Sequence, residues 1–410
     1  MIYFGVALFL AIFSYGYDFK EERRGKKACY RIVLLILVLI SGFRYRIGGD
    51  TIGYLSSYYL RIPLLSDITF DDLFLNQYEP LFFLLNCTLK TIGCKFFVLQ
   101  LVHAAFINIL ICNYFKKHSK YPFVCVLFYF IWFYPHLNFE IMRASISIVI
   151  CLYANDYFID NKPIKGYLLY LIAIFFHYST IILLISPLFM FLKINRKSVV
   201  FLFAIFLFGS IISSRIEQYL VIFNINDVTT DKLELYTNSD QGFVSTLSFH
   251  GIISSFLPSL LYPVVSVLKI KGNVLGNGKA ETNLLQLEPF VVIGFAFYML
   301  SCSMSILYRI VDFYKIYIII FNSYLFVYLA KGSSKLSILK IVRTLIIFAP
   351  FFNLITTTYR GVCGKRDSNY NLYNYQKYYP YSSIFDKMVD KDRESIASND
   401  VFISPDENYY

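Results

Sequence analysis

Long apolar runs separated by short lysine-rich loops recur along the chain and leave it few folds to choose from. A helix that crosses the hydrocarbon layer of a bilayer needs about 20 apolar residues, because its backbone polar groups must be satisfied within the segment. Of the 410 residues, 57% are apolar and only 16% charged, which excludes an ordinary soluble domain and points to a polytopic membrane protein. The apolar runs predict about twelve helices, several shorter than a straight crossing requires. They cover 2–17, 29–43, 97–115, 121–134, 141–158, 164–176, 179–191, 198–213, 247–268, 289–307, 311–330 and 341–358. The expected fold is all-α: a polytopic transmembrane bundle over residues 1–358, with a tyrosine-rich tail over 359–410.

The net charge of +11 is gathered in the loops, at Lys20 to Lys27, Lys116 to Lys120, Lys162 and Lys165, Lys193 to Lys197, Lys269 to Lys279 and Lys331 to Lys340. Such runs fix orientation by the positive-inside rule and give no reason to expect nucleic acid. The segment 80–93 is apolar enough to span, yet counting it as a span would put every later basic loop outside. Placed instead as an amphipathic helix in the outer interface, it sends all of these loops to the cytoplasmic side at once. Both termini are then outside, as are the loops 44–96 and 214–246. The first apolar stretch has neither a basic leader nor a small-residue cleavage site, and is expected to be a retained helix.

The eight cysteines show no metal spacing, and no phosphate-cradling Gly-Lys-Ser/Thr loop is present, which disfavours an ATP-driven transporter. What stands out is the polar set that this topology collects at the outer helix ends. Arg44, Arg46 and Asp50 follow the second helix, and Glu79 precedes the interfacial one. His136, Glu140 and Arg143 surround the start of the fifth, His177 tops the hairpin between the sixth and seventh, and Arg309 and Asp312 separate the tenth and eleventh. His250 heads the ninth helix, whereas His103 lies among apolar neighbours and reads as packing. Charged groups at the edge of a hydrophobic span are costly to desolvate and are usually kept for binding or chemistry. Local alternatives are an interfacial Arg46 and ion pairs of Asp50 with Arg46 and of Glu140 with Arg143.

Several arginines, a carboxylate and a histidine on the outer face fit a substrate that is a lipid with an anionic head. Arginine offers phosphate oxygens a planar fork of donors that lysine cannot match. Glycosyl transfer from a lipid diphosphate needs a base for the acceptor hydroxyl and cations for the departing diphosphate, a role the arginines fill without metal or cofactor. Asp50 is the first candidate base, with Glu79, Glu140 and His177 behind it. Arg44, Arg46, Arg143 and Arg309 are the candidate diphosphate ligands.

Arg44-Tyr45-Arg46-Ile47-Gly48-Gly49-Asp50 followed by Tyr54 resembles the Arg-Tyr-x-x-Gly-x-Asp-x-x-x-Tyr signature of the EpsG family. Further resemblances follow in order at Tyr78-Glu79-Pro80-Leu81, Ile141-Met142-Arg143, Phe176-His177-Tyr178-Ser179, Tyr308-Arg309 with Phe313-Tyr314, and Tyr379-Pro380-Tyr381. Ala144 stands where the family commonly has Gln, and Gly49 replaces a more usual small polar residue. The resemblance implies a Wzy-type polymerase of exopolysaccharide, capsule or O-antigen (lipopolysaccharide) clusters. Its substrates would be repeat units on undecaprenyl diphosphate, with a flippase and a chain-length regulator as candidate partners in a bacterial inner membrane. The interfacial helix after the second span also resembles the first outer loop of GT-C glycosyltransferases. Rival readings are a single-sugar GT-C transferase with a polyprenyl-phosphate donor, a flippase of lipid-linked oligosaccharides, and a membrane O-acyltransferase.

Overall fold

The computed structural model describes residues 2–209 (except 196, 199, 203 and 206), 284–301, 307–331 and 378–388. The predicted helices at 247–268 and 341–358, the loop 214–246 and His250 lie outside the described residues. The described chain is helical and contains no strand beyond isolated bridges at Arg44, Ser383 and Asp386. It divides into two compact units, one formed by residues 1–184 and 343–410, the other by 185–342.

The first unit opens with α1 (Ile2–Ser14), extended by a π-helical turn (Tyr15–Phe19), and α2 (Lys26–Gly42). After the 43–50 segment come α3 (Thr51–Leu60), the short α4 (Asp72–Leu75) and α5 (Pro80–Thr91). Then α6 (Phe96–His118), α7 (Pro122–Trp132), α8 (Met142–Ile159) and α9 (Pro163–Phe176) run up and down the bundle. Proline at the first position of α5, α7 and α9 starts each helix where an unpaired N–H would otherwise be left. α3 is an addition to the sequence expectation, which left its residues in a loop. The stretch 179–191, expected as an α-helix, is a 3-10 helix (Tyr178–Phe189) that carries Pro187 and β-branched Thr180, Ile181, Ile182 and Ile185.

Among the described residues, two helical stretches, Ile2–Phe19 and Phe96–His118, are long and apolar enough to cross a membrane, while Pro122–Trp132, Pro163–Phe176, Tyr178–Phe189 and Glu288–Ser301 are apolar but shorter. Packing leaves much apolar surface outward: Phe4, Leu8 and Ile12 on α1, Ile32 and Leu35 on α2, and Ile164, Leu168 and Leu171 on α9 are exposed. Helices that bury small and polar side chains and turn leucine and isoleucine outward match a lipid surround.

Inside, close approaches and hydrogen bonds replace the hydrophobic drive that lipid removes. Gly42 lets α2 lie so near α6 that an added Cβ would come within 2.6 Å of Leu101. Tyr30 donates to the Cys112 carbonyl at 2.8 Å, and Asn108, Tyr129 and Asn138 form a buried network with contacts of 2.7 to 3.2 Å.

The two ends of this unit differ in chemistry. At one end Asp18 accepts from the Val124 amide at 2.9 Å and pairs with Lys26, and Asp156 pairs with Lys117 at 2.7 Å. The opposite end carries the 43–50 segment and the starts of α5, α6 and α8. α5 begins and finishes at that end, because Lys90 donates to the Tyr59 and Ile62 carbonyls and α6 starts immediately beyond Cys94, whose carbonyl accepts from Tyr58 at 2.7 Å. It lies across the bundle end and does not cross the bundle.

In the second unit, the helices Glu288–Ser301 and Lys315–Lys331 pack through Gly294, where a Cβ would meet the Tyr314 side chain at 2.6 Å, and through stacked Phe290 and Tyr317, with centroids 4.8 Å apart.

Candidate functional site

Glu79 is the hub of the site. It is the N-cap of α5, and its side chain makes no capping bond to the helix amides. Arg143 Nη1 instead donates to Glu79 Oε2 at 2.7 Å, and His177 Nδ1 lies 3.0 Å from Oε1. The Tyr178 amide adds a longer contact to Oε1 at 3.4 Å. Glu79 is buried, while the His177 and Arg143 side chains keep 20% and 27% of their surface open. Burial pushes the Glu79 carboxyl up, but the His177 hydrogen bond and the Arg143 charge outweigh it and hold the group down at about 2. Glu79 is therefore an anion at neutral pH, and too weak a base to take a proton from a sugar hydroxyl by itself.

Local structure explains why three distant residues meet. Arg143 sits in the first turn of α8, and α9 breaks at His177, whose backbone is extended. Ser147 on α8 holds that break by donating to the Ala173 carbonyl and bonding the Thr180 hydroxyl, each at 2.6 Å. The Arg143 guanidinium lies over the Tyr78 ring at 5.2 Å and hydrogen-bonds Tyr54. Tyr54, Tyr78 and Phe82 pack against one another beside it, with centroids 5.4 to 5.9 Å apart and Phe82 T-shaped to both tyrosines.

The 43–50 segment forms the neighbouring wall. Gly48, at φ +104°, lies against the Phe139 carbonyl, where any Cβ would collide, and Thr51 donates to the carbonyls of Ile47 (2.6 Å) and Phe139 (3.0 Å). Arg46 also adopts a left-handed backbone, with φ +52°, and is buried. Arg44 is wholly enclosed: it donates to the Ser41 carbonyl, lies over the Phe139 ring at 5.3 Å and reaches Met142 Sδ at 3.8 Å. Asp50, by contrast, is exposed at the start of α3.

A strap from the far end of the chain covers this segment. The Tyr45 amide donates to the Ser382 carbonyl at 3.0 Å, Ser382 Oγ returns to the Tyr45 carbonyl at 2.7 Å, and the Ile384 amide donates to Phe43 at 2.9 Å. Tyr381 reaches the Ile40 carbonyl at 3.1 Å. The Tyr378 carbonyl accepts from the Tyr3 hydroxyl at 3.1 Å, and its phenol hydrogen-bonds Glu140, which also holds His136 at 2.8 Å. Burial and the Glu140 charge push the Tyr378 phenol well above its ordinary value.

The structure thus brings Tyr54, Glu79, Arg143 and His177 into one cluster and sets Arg44, Arg46, Asp50 and Glu140 around it. Asp50 is near enough to act electrostatically on both Tyr54 and Tyr378. Arg309 belongs to the second unit, in the short helix Tyr308–Val311, with Asp312 beside it bound to Lys315 at 2.7 Å. Sequence reasoning did not single out Tyr378, Ser382 or Phe139. The Tyr-Pro-Tyr element beside the first two was the signal that pointed toward them.

The stretch that holds these elements, residues 27–383, matches the model of the EpsG family. The chain belongs to the EpsG family. EpsG proteins are polysaccharide polymerase-like and membrane-associated, in keeping with the outward apolar surface described above. Neither a curated protein nor a solved structure matches the chain. Within the EpsG match lie the cluster around Glu79, both walls around it, and the strap as far as Ser383.

Proposed function

We propose that this EpsG chain joins oligosaccharide repeat units, carried on undecaprenyl diphosphate, into a surface polysaccharide on the outer face of a bacterial cytoplasmic membrane. The observation that carries the reading is the Arg143–Glu79–His177 cluster: a buried carboxylate flanked by a partly open arginine and a partly open histidine. The scaffold in this reading is a polytopic GT-C-like bundle, with α5 as its juxtamembrane helix.

The chemistry assigns each member a task. Glu79 accepts from His177 Nδ1–H and so fixes the tautomer, leaving the Nε2 lone pair for the acceptor hydroxyl. As that proton moves to Nε2, the acceptor oxygen bonds the anomeric carbon of the donor, and the bond from that carbon to the diphosphate oxygen breaks with its electrons on the phosphate. Arg143, with donors committed to Glu79 and Tyr54, offers those that remain to the charge developing on the diphosphate. Asp50, exposed at the mouth, orients the acceptor sugar, while Glu140 holds the strap through Tyr378. The enclosed Arg44 and Arg46 are assigned to building the wall and not to substrate contact.

The test is the length distribution of the polysaccharide in a deletion strain complemented at equal protein level. Wild type should restore a ladder; Arg143→Ala and His177→Ala should leave single repeat units on lipid. Wild-type ladders from both variants would overturn the assignment. A wild-type product that only ever gains one sugar would identify a single-sugar transferase instead.

A further inference from the structure

The second unit contains a cavity of about 660 Å³ that plays no part in the site above. That volume lies within the roughly 300–1,000 Å³ of ordinary ligand pockets. Its walls are apolar, formed by Ile185, Phe189 and Phe201 on one side and Ile293, Phe297 and Leu300 of the helix Glu288–Ser301 on the other. Tyr314 closes one wall, tied to Ser186 by a 2.6 Å hydrogen bond and stacked on Phe297 with centroids 6.1 Å apart.

The mouth is different. Lys193, Asn195 and Lys197 line it and are exposed, and among the described lining residues none is acidic. The turn that presents the two lysines is fixed locally: the Ser198 amide donates to Asn195 Oδ1 at 2.9 Å, and the Asn195 amide to Ser198 Oγ at 2.8 Å. The Ile194 amide donates to the buried Glu288 at 3.1 Å, which anchors the turn to the second wall. This is an apolar slot with a held cationic rim, in the loop that the charge pattern assigns to the cytoplasmic side.

We propose that this cavity binds an anionic glycerophospholipid of the lysine-side leaflet, one acyl chain in the slot and the phosphate at Lys193 and Lys197. Charge complementarity selects the occupant: basic pockets between helices at that surface recognise anionic headgroups, and a zwitterionic lipid presents no net charge to the two lysines. The slot accounts for the chain, since apolar walls in contact with a bilayer fill with hydrocarbon at little cost. The proposal does not depend on the polymerase reading, because no residue of the Glu79 cluster lines the cavity.

The experiment uses the full chain in nanodiscs with a phosphatidylglycerol that carries a photoactivatable diazirine on one acyl chain, against the phosphatidylcholine analogue. Label should map to peptides around Phe189 to Ile205 and Ile293 to Tyr314, with phosphatidylglycerol preferred. The double variant Lys193→Gln/Lys197→Gln, altered only at exposed positions, should lower phosphatidylglycerol affinity roughly tenfold or more. Ala296→Phe should shrink the slot and reduce labelling by both lipids. Equal labelling by the two lipids, labelling unchanged in the lysine double variant, or competition by undecaprenyl phosphate but not by phosphatidylglycerol would each overturn the proposal.

Discussion

Glu79 and His177 stand 98 positions apart in the chain and meet at 3.0 Å, the carboxylate facing Nδ1 of the imidazole. The acid at this helix N-cap holds a histidine through one oxygen and an arginine through the other. Loss of that carboxylate therefore acts on two partners at once.

Glu79→Gln should abolish polymer formation while leaving protein in the membrane. The pair is intermediate between an exposed and a buried ion pair, so the stability loss should be about 2 kcal/mol. Thermal unfolding in detergent measures that loss, and the ladder assay reads the activity.

The same carboxyl predicts a pH response. Its folded value, about 2, lies below the ordinary glutamate value of 4.5, so its contribution to stability is present in full above that ordinary value. It should be lost as pH falls from about 4.5 towards 2, and stability between pH 5 and 8 should owe no pH dependence to Glu79. Comparing acid unfolding of wild type with Glu79→Gln isolates the effect; an identical acid limb in the two proteins would contradict it.

His177→Ala should slow chain extension by roughly 10²- to 10⁴-fold, the usual worth of a positioned proton acceptor. Binding of the lipid-linked donor, measured with the purified protein, should change much less. A large loss of donor affinity with extension preserved would make His177 a binding residue.

Gly48→Ala should destabilise the protein by about 1–3 kcal/mol, since the residue combines a left-handed backbone with contact to the Phe139 carbonyl. Gly53, with open space around its Cβ position, is the control: Gly53→Ala should be harmless or mildly stabilising. Denaturation of the two variants side by side checks the contrast.

Ser382→Ala removes the hydroxyl that bonds the Tyr45 carbonyl and should cost about 1 kcal/mol. Amide exchange at Tyr45 and Ile384 should accelerate, since both bonds belong to the strap. Unchanged exchange at both amides would show that the strap holds without Ser382.

What the sequence disclosed, and what it did not, follows from the kind of signal involved. The helices α2, α6, α8 and α9 were legible because long apolar runs bounded by charge leave little choice in lipid. α3 was not, because Thr51–Leu60 is short and carries several polar residues, and its place depends on Thr51 meeting the Phe139 carbonyl, a contact 88 positions away. Among the site candidates, Glu79, Arg143 and His177 were marked by being polar at apolar helix ends. Their mutual pairing was hidden, since Glu140 was the nearer partner for Arg143 and turned out to hold His136 and Tyr378. Arg44 was read as a substrate ligand from charge alone; its enclosure by Phe139 and Met142 depends on how α8 begins, which periodicity does not reveal.

The strap gives the protein a built-in order of completion. Tyr45 emerges from the ribosome early, yet its amide and carbonyl wait for Ser382, 337 positions later. A chain that stops short of residue 378 therefore lacks the piece that closes the first motif, however much of the rest has folded.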